Sequence, residues 1–427
     1  MFALPSPAKI LDLIRRSERL IKAVGYSVAA QGLASAGNLV VSVLLLRFLP
    51  IAEFGTWGLL YVIGASSAAF TSSVTGFVFH LCMPRFAHIK RVYEKAYNGL
   101  NLIAVAVAST LFSLATFWFV PVHGVIGLSA IPVFIFALTA IENIKLQATA
   151  NNQHRAMFLV ELARQIILVG AVACLGWSGQ IDVYSLLLVH GTTGLAATAA
   201  LMGLLHWRAT FNRLAWVWDV HYFYARHLLP SVIISFFHVD AIQLLVTQRF
   251  GFGAMGHLRA AELPFSTLNP VKQSLNYFLP RAIYQFEIDS RIDRARMLPL
   301  IGLAAILATF AVAMGLWLVA QPLFPLLTNK DYPAGLGFMF ALAQVAMIVH
   351  SLTSHYLNTV RKSQAIMLQS IFGGFGAMAT YFATYEFFGV MAAPLAIFIA
   401  YLIMASHGIY EIHRHIGEQR PVLQAAE

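Results

Sequence analysis

The sequence predicts an all-α polytopic membrane protein with twelve transmembrane helices. Three observations predict it. Of 427 residues, 59% are hydrophobic and only 11% charged, where soluble domains carry about 25% charged residues. Apolar stretches of about 20 residues, the length that crosses a bilayer core, recur along the whole chain. The Lys and Arg residues gather in alternate intervening segments. Membrane barrels give short alternating strands instead of long uniform runs.

Taken in order, residues 1–24 form a cytoplasmic interfacial helix. Ile10, Leu13, Ile14, Leu20 and Ile21 share one face, and Lys9, Arg15, Arg16, Arg19 and Lys22 fill the rest. The first apolar run is too long, and its preceding charged segment too extended, for a cleavable leader. Twelve spans follow, near 26–46, 57–80, 99–120, 127–148, 157–177, 183–205, 228–248, 257–279, 298–320, 335–358, 364–384 and 388–410. With both termini cytoplasmic, 21 of the 28 Lys and Arg lie on that side. Three lie in outer loops (Arg47, Arg249, Lys330) and four within spans (Lys145, Arg164, Arg259, Lys272). The formal charge of +10 is then a membrane-orientation signal, and nucleic acid is not an expected partner. Cys82 and Cys174 fall toward opposite sides and are expected not to pair.

The chain divides into a six-helix lobe at 25–207, a basic cytoplasmic linker at 208–227, a second six-helix lobe at 228–412 and a cytoplasmic tail at 413–427. The lobes repeat. LLLRFLPIAEFGTW at 44–57 is echoed by QLLVTQRFGFGAMGHL at 243–258. Arg47-Phe48 with Gly55 matches Arg249-Phe250 with Gly256, allowing a one-residue gap. Phe119 and Pro121 match Leu323 and Pro325, and the segment from Asn152 to Arg155 matches that from Asn358 to Arg361. An even number of spans per copy gives a parallel repeat about an axis along the membrane normal, a transporter architecture. Arg47, Pro50 and Gly55 end one span and turn into the next, and Trp57 is expected at the interface as an aromatic anchor.

Polar residues inside spans are costly and mark function by default. Span 8 gives the clearest stripe: Arg259, Glu262, Ser266, Asn269, Gln273 and Asn276 fall on one helical face, with Lys272 beside it. Pro264 and Pro270 interrupt the same helix, as in broken helices that line pathways. A local Arg259–Glu262 pair is the competing explanation, but it leaves the rest of the stripe unexplained. Span 1 carries Ser27, Gln31, Ser35, Asn38 and Ser42 on one face, open to either a pathway or close helix packing. Span 7 holds His238 and a lone acid, Asp240, readable as a hydrogen-bonded core group or as a proton or cation site. Span 10 aligns Gln344, Ser351, His355 and Asn358 with the same ambiguity. Glu142 with Lys145, and Glu161 with Arg164, read as local i,i+3 pairs near cytoplasmic helix ends.

No G-x-x-x-x-G-K-S/T, H-E-x-x-H or G-x-S-x-G sequence occurs. His407, His413 and His415 straddle a helix end and are not expected to bind a metal. Outward-facing acids are scattered over separate loops. No catalytic residue, cofactor or metal is expected, and the chain reads as a non-enzyme.

The first span followed by LLLRFLPIAEFGTWGLLYVIG resembles the polysaccharide transporter family, the Wzx-type O-antigen and exopolysaccharide flippases. These belong to the multidrug/oligosaccharidyl-lipid/polysaccharide exporter superfamily. Arg47, Leu49-Pro50, Glu53-Phe54-Gly55 and Trp57 carry the likeness, together with Asp240 before GFGAMG at 251–256 and Phe324-Pro325 with Tyr332-Pro333-Ala334. The family's usual Tyr after the glycine-rich turn is His257 here. The resemblance implies a two-lobed flippase of polyprenyl-pyrophosphate-linked oligosaccharides in the bacterial inner membrane, working by alternating access for O-antigen or exopolysaccharide synthesis. It implies membrane lipids and polysaccharide polymerase and chain-length machinery as partners. Relatives use basic residues of helices 1, 2 and 8 for the pyrophosphate; only helix 8 offers them here, Arg259 and Lys272. The expected substrate-binding residues are therefore Arg259, Lys272, Asn269, Gln273, Asn276, Gln31 and Asn38. Asp240, Glu262 and His238 are expected to couple ions. A drug or small-solute cation antiporter of the same superfamily is the alternative reading, and a membrane-embedded glycan transferase or ligase a further one.

Overall fold

The computed structural model describes residues 7–120, 124–268, 294–360 and 362–424, and their regular structure is entirely helical. Among the described residues, ten stretches are long and apolar enough to cross a membrane. The chain is a multi-pass membrane protein. Two of the ten stretches, Leu228–Leu268 and Gln364–Gly417, run for 41 and 54 residues, well beyond the ~20 residues of one crossing.

The first helix, α1, runs unbroken from Pro7 to Phe48, so the expected surface helix and first span form one rod. Pro50 then stops the chain in an extended conformation, and α2 follows (Ile51–Val74). Proline suits this position because its missing N–H would be unpaired at a helix start. A short α3 (Gly76–Cys82) and a 3-10 turn lead into α4 (Lys90–Phe119). Next come α5 (Gly124–Ala150), α6 (His154–Trp177) and α7 (Val183–Leu204). Asn152, in the left-handed conformation, makes the tight turn between α5 and α6. A capping box opens α7: Asp182 accepts from the Ser185 backbone N–H at 2.9 Å, and Ser185 Oγ accepts from the Asp182 N–H at 3.0 Å.

The second series begins with α8 (Leu214–Phe236). The linker expected over 208–227 is therefore helical from Leu214 onward. Span 7, expected to be continuous, breaks at 237–239, and α9 restarts at Asp240 and ends at Glu262. Within α9, Gly251 takes φ 82° and ψ 174°, a region open essentially to glycine alone. That residue makes the turn expected between spans 7 and 8. Pro264 opens a 3-10 turn, Leu263–Leu268, as the interrupted helix predicts. Asn269, Lys272, Gln273 and Asn276 lie outside the described residues. The series ends with α10 (Arg294–Thr328), α11 (Ala334–Thr359), α12 (Ser363–Phe388) and α13 (Ala392–Gln424).

In the first series α5 packs on α7, α1 on α6, and α2 on α5 and α4; in the second, α13 packs on α11 and α12. The deepest contact between the series joins α2 to α9. It rests on two glycines. A Cβ on Gly55 would collide with the Phe252 carbonyl oxygen, and one on Gly256 with the Ile51 carbonyl oxygen. Each glycine meets the residue four positions before the other, so the contact is reciprocal. This is the pair of positions matched in the sequence repeat. Nearby, Lys330 donates through Nζ to the carbonyls of Leu46 and Leu49. These contacts seal the two series together at the Pro50 end.

Helix α8 belongs to both series. Val217 lies in a buried cluster with Phe79, Tyr93 and Tyr97. Nearby, His221 Nδ1 donates to the Val74 carbonyl at 3.1 Å, which leaves Nε2 to accept from the Tyr93 hydroxyl at 2.9 Å. Beyond Pro230, Ile234 packs on Gly374 of α12.

Candidate functional site

A cavity of about 670 Å³ lies between the two series of helices, within the size range of small-molecule sites. From α1 it receives Gln31, Ser35, Asn38 and Ser42. The span 1 stripe thus faces the cavity instead of serving helix packing alone. Ser35 Oγ donates to the Ser266 carbonyl at 3.0 Å, and Asn38 Nδ2 donates to the Tyr61 hydroxyl at 3.3 Å. Of the span 8 stripe, Arg259, Glu262 and Ser266 all line the cavity. Of the span 10 residues, Gln344 does so.

Arg259 has a specific seat. Its Nη1 donates to Glu262 Oε2 at 2.8 Å and its Nη2 to the Gly58 carbonyl at 3.4 Å. A side chain at position 58 would press on Arg259 Cγ, so the absence of one in α2 makes room for the guanidinium. Nε has no partner.

The structure corrects the reading of the four charges on α5 and α6. Both local pairs form, and Lys145 joins them into one network across the two helices, buried except at Glu142, whose side chain is 44% exposed. Glu161 accepts from Arg164 at 2.6 and 3.2 Å, from Gln165 at 2.7 Å, and pairs with Lys145 at 3.1 Å. Lys145 also pairs with Glu142 at 3.0 Å. Glu142, Lys145 and Arg164 line the cavity. Buried charges survive only when paired and hydrogen-bonded in this way, and snorkelling to the surface does not describe them.

Trp57 is the second correction. It is 7% exposed and lines the cavity, stacked on Phe54 with ring centres 5.8 Å apart and 5.5 Å from Tyr61. An interfacial anchor would be exposed.

Of the expected coupling residues, Asp240 sits in the first turn of α9, where the helix dipole favours a negative charge. It bridges the two series through Ser66 of α2, at 2.7 Å. Ser66 Oγ also lies 2.9 Å from the Val62 carbonyl. One hydroxyl proton cannot serve both acceptors; a protonated Asp240 would satisfy all three groups. His238 is 4% exposed, with Nδ1 2.9 Å from the Ser235 carbonyl and Nε2 2.9 Å from the Ser370 carbonyl. A neutral ring donates to one of these carbonyls at a time, an imidazolium to both. Glu262 pairs with Arg259. Cys82 and Cys174 are both free.

By sequence, no family model and no curated protein matches the chain. By structure, it is similar to an inward-facing multidrug resistance MATE family transporter of the MOP superfamily, with a TM-score of 0.68 and 12% identity over 91% of this chain and 96% of that one. It is similar to the lipid II flippase MurJ in an inward closed conformation, with a TM-score of 0.66 and 11% identity over 90% and 86%. An outward-facing MATE family transporter gives 0.57, with 13% identity over 94% and 96%. The chain is a multi-pass membrane protein with the fold seen in MOP-superfamily transporters and flippases.

Proposed function

We propose that this protein carries a polyprenyl-pyrophosphate-linked oligosaccharide from the cytoplasmic to the periplasmic leaflet of a bacterial inner membrane, by alternating access. Two six-helix lobes, each with six crossings and both termini cytoplasmic, would rock against each other, opening and closing the α2–α9 contact. The observation that carries the reading is Arg259: a cation in a polar cavity between the helix series, with hydrogen-bonding capacity to spare. Guanidinium groups match phosphate oxygens with paired, charge-assisted bonds. Gln31 and Asn38 face the same space and suit sugar hydroxyls, while the lipid tail stays in the bilayer. Lys272, Asn269, Gln273 and Asn276 extend the stripe along span 8 in this reading. Asp240 and His238, whose contacts change with proton count, would couple the proton gradient, with Glu262 as the acid that Arg259 releases when it takes phosphate. O-antigen or exopolysaccharide assembly is the setting proposed, with polymerase and chain-length proteins as partners.

One observation favours a second reading. Every described cation of the cavity is matched by a carboxylate, namely Arg259 by Glu262, and Lys145 and Arg164 by Glu161. Asp240 adds a further acid, which suits a small-solute cation antiporter like the MATE transporters of similar fold. Liposomes holding the purified protein separate the two. Translocation of fluorescent polyprenyl-pyrophosphate glycans, tested with and without proton and sodium gradients, is expected. Proton-driven uptake of a cationic dye without glycan movement would replace the first reading by the second.

A further inference from the structure

The cavity's Pro50 end holds polar atoms that nothing satisfies. Trp57 Nε1, His190 Nδ1 and Arg259 Nε are all buried without a hydrogen-bond partner, and all three residues line the cavity. Trp57 is 7% and His190 3% exposed. Leaving a buried donor or acceptor unmet is destabilising, so three around one space suit an occupant better than a packed core.

The same place carries a ladder of rings. Phe54, Trp57 and Tyr61 lie at i, i+3 and i+7 on α2 and so share a face. Tyr61 meets His190 of α7 edge-on, with ring centres 6.2 Å apart. Flat apolar faces beside isolated polar atoms match a hexose, whose ring has an apolar C–H face and a rim of hydroxyls. An organic cation would also favour aromatic faces, but it would leave the Trp57 Nε1–H donor unmet, which a sugar hydroxyl oxygen satisfies.

We infer that Trp57, Tyr61 and His190 form a subsite for a neutral sugar ring, the one joined directly to the pyrophosphate held by Arg259. The ring stacks on Trp57 and Tyr61. Trp57 Nε1–H donates to one of its hydroxyl oxygens, and His190 Nδ1 bonds a second hydroxyl. This rests on the flippase reading and adds to it that the cavity recognises the sugar as well as the phosphate.

The test measures binding of two probes to purified protein in nanodiscs: a short-chain polyprenyl pyrophosphate, and the same lipid bearing one hexose. Wild type is expected to bind the glycosylated probe roughly tenfold tighter, the equivalent of one or two good hydrogen bonds. Trp57→Leu should bring the glycosylated probe down to the affinity of the bare one and leave the bare one unchanged. His190→Leu, which keeps a similar bulk, should lower only the glycosylated affinity, by roughly threefold to tenfold. Monodisperse elution of each variant controls for folding, and His190→Leu carries the test if Trp57→Leu fails to fold. Equal wild-type affinity for both probes overturns the sugar subsite while leaving the pyrophosphate reading standing. So does unchanged preference in both variants. Binding of neither probe by wild type overturns both.

Discussion

Arg259 touches the carboxylate that follows it by three residues and a backbone carbonyl of another helix, and still has Nε unpaired. Replacing it by Ala, at unchanged expression, should lower glycan transport by about tenfold or more, the worth of a charge-assisted bond. Lys at the same place, a point charge without the planar fork, should restore only part. Glu161 behaves differently, because Lys145, Arg164 and Gln165 all converge on it. Glu161→Ala leaves buried Arg164 without its carboxylate partner and Lys145 with only the half-exposed Glu142. It should cost about 3–5 kcal/mol of stability, seen as a lowered melting temperature in detergent. The Arg259 and α1 positions were legible in the sequence because helical periodicity puts a stripe on one face. The α5–α6 network was not, since each half looked complete as a local pair. Its clue was the hairpin itself: Lys145 and Glu161 stand at nearly equal distances from Asn152, so folding back there sets them opposite each other. Trp57 misled for another reason, as aromatic residues near span ends serve both as membrane anchors and as cavity walls.

Helix α2 is the most enclosed of the spans. It supplies Gly55 to the contact with α9, Gly58 to the Arg259 seat, Ser66 to Asp240 and the Trp57–Tyr61 face to the cavity. Gly55→Val or Gly256→Val should part the two helices at the Pro50 end. The expected result is loss of transport with a more open surface at that end, read as faster labelling of a cysteine placed at Ser42. Helix α8 shows where sequence reading fell short, since a basic interval of mixed polarity looked like a linker. Its apolar face is completed only by Phe79, Tyr93 and Tyr97 from a distant segment. Burial in that cluster holds His221 neutral, its pKa pushed down from 6.5 to about 4, against which its bond to the Val74 carbonyl works. A histidine depressed in the fold stabilises fully above pH 6.5 and loses that stability as pH falls from there toward 4. The melting temperature in detergent should drop across that window, and His221→Gln should flatten the drop.

At the scale of the whole molecule, the helical membrane-spanning character and the interruption of span 8 at Pro264 followed from hydropathy and proline placement. The break at 237–239 did not, because no glycine or proline marks it. It puts Asp240 at a helix start deep in an apolar stretch, a position that packing creates. If transport requires the two series to part, joining Ser35→Cys to Ser266→Cys should stop it. Those segments touch across the two series, and reduction of the bridge should restore transport. Transport that continues in the oxidised protein would argue against rocking about this seam. The reciprocal seating of Gly55 and Gly256 has a further consequence. In a symmetric pair of identical subunits, residue i meets j and residue j meets i. Here both halves of such an exchange lie in one chain. A protein of half the length, docked on a copy of itself, would make the same joint twice with one glycine. Covalent fusion leaves each half free to differ: two residues past the matched glycines, one side carries Trp57 and the other Leu258.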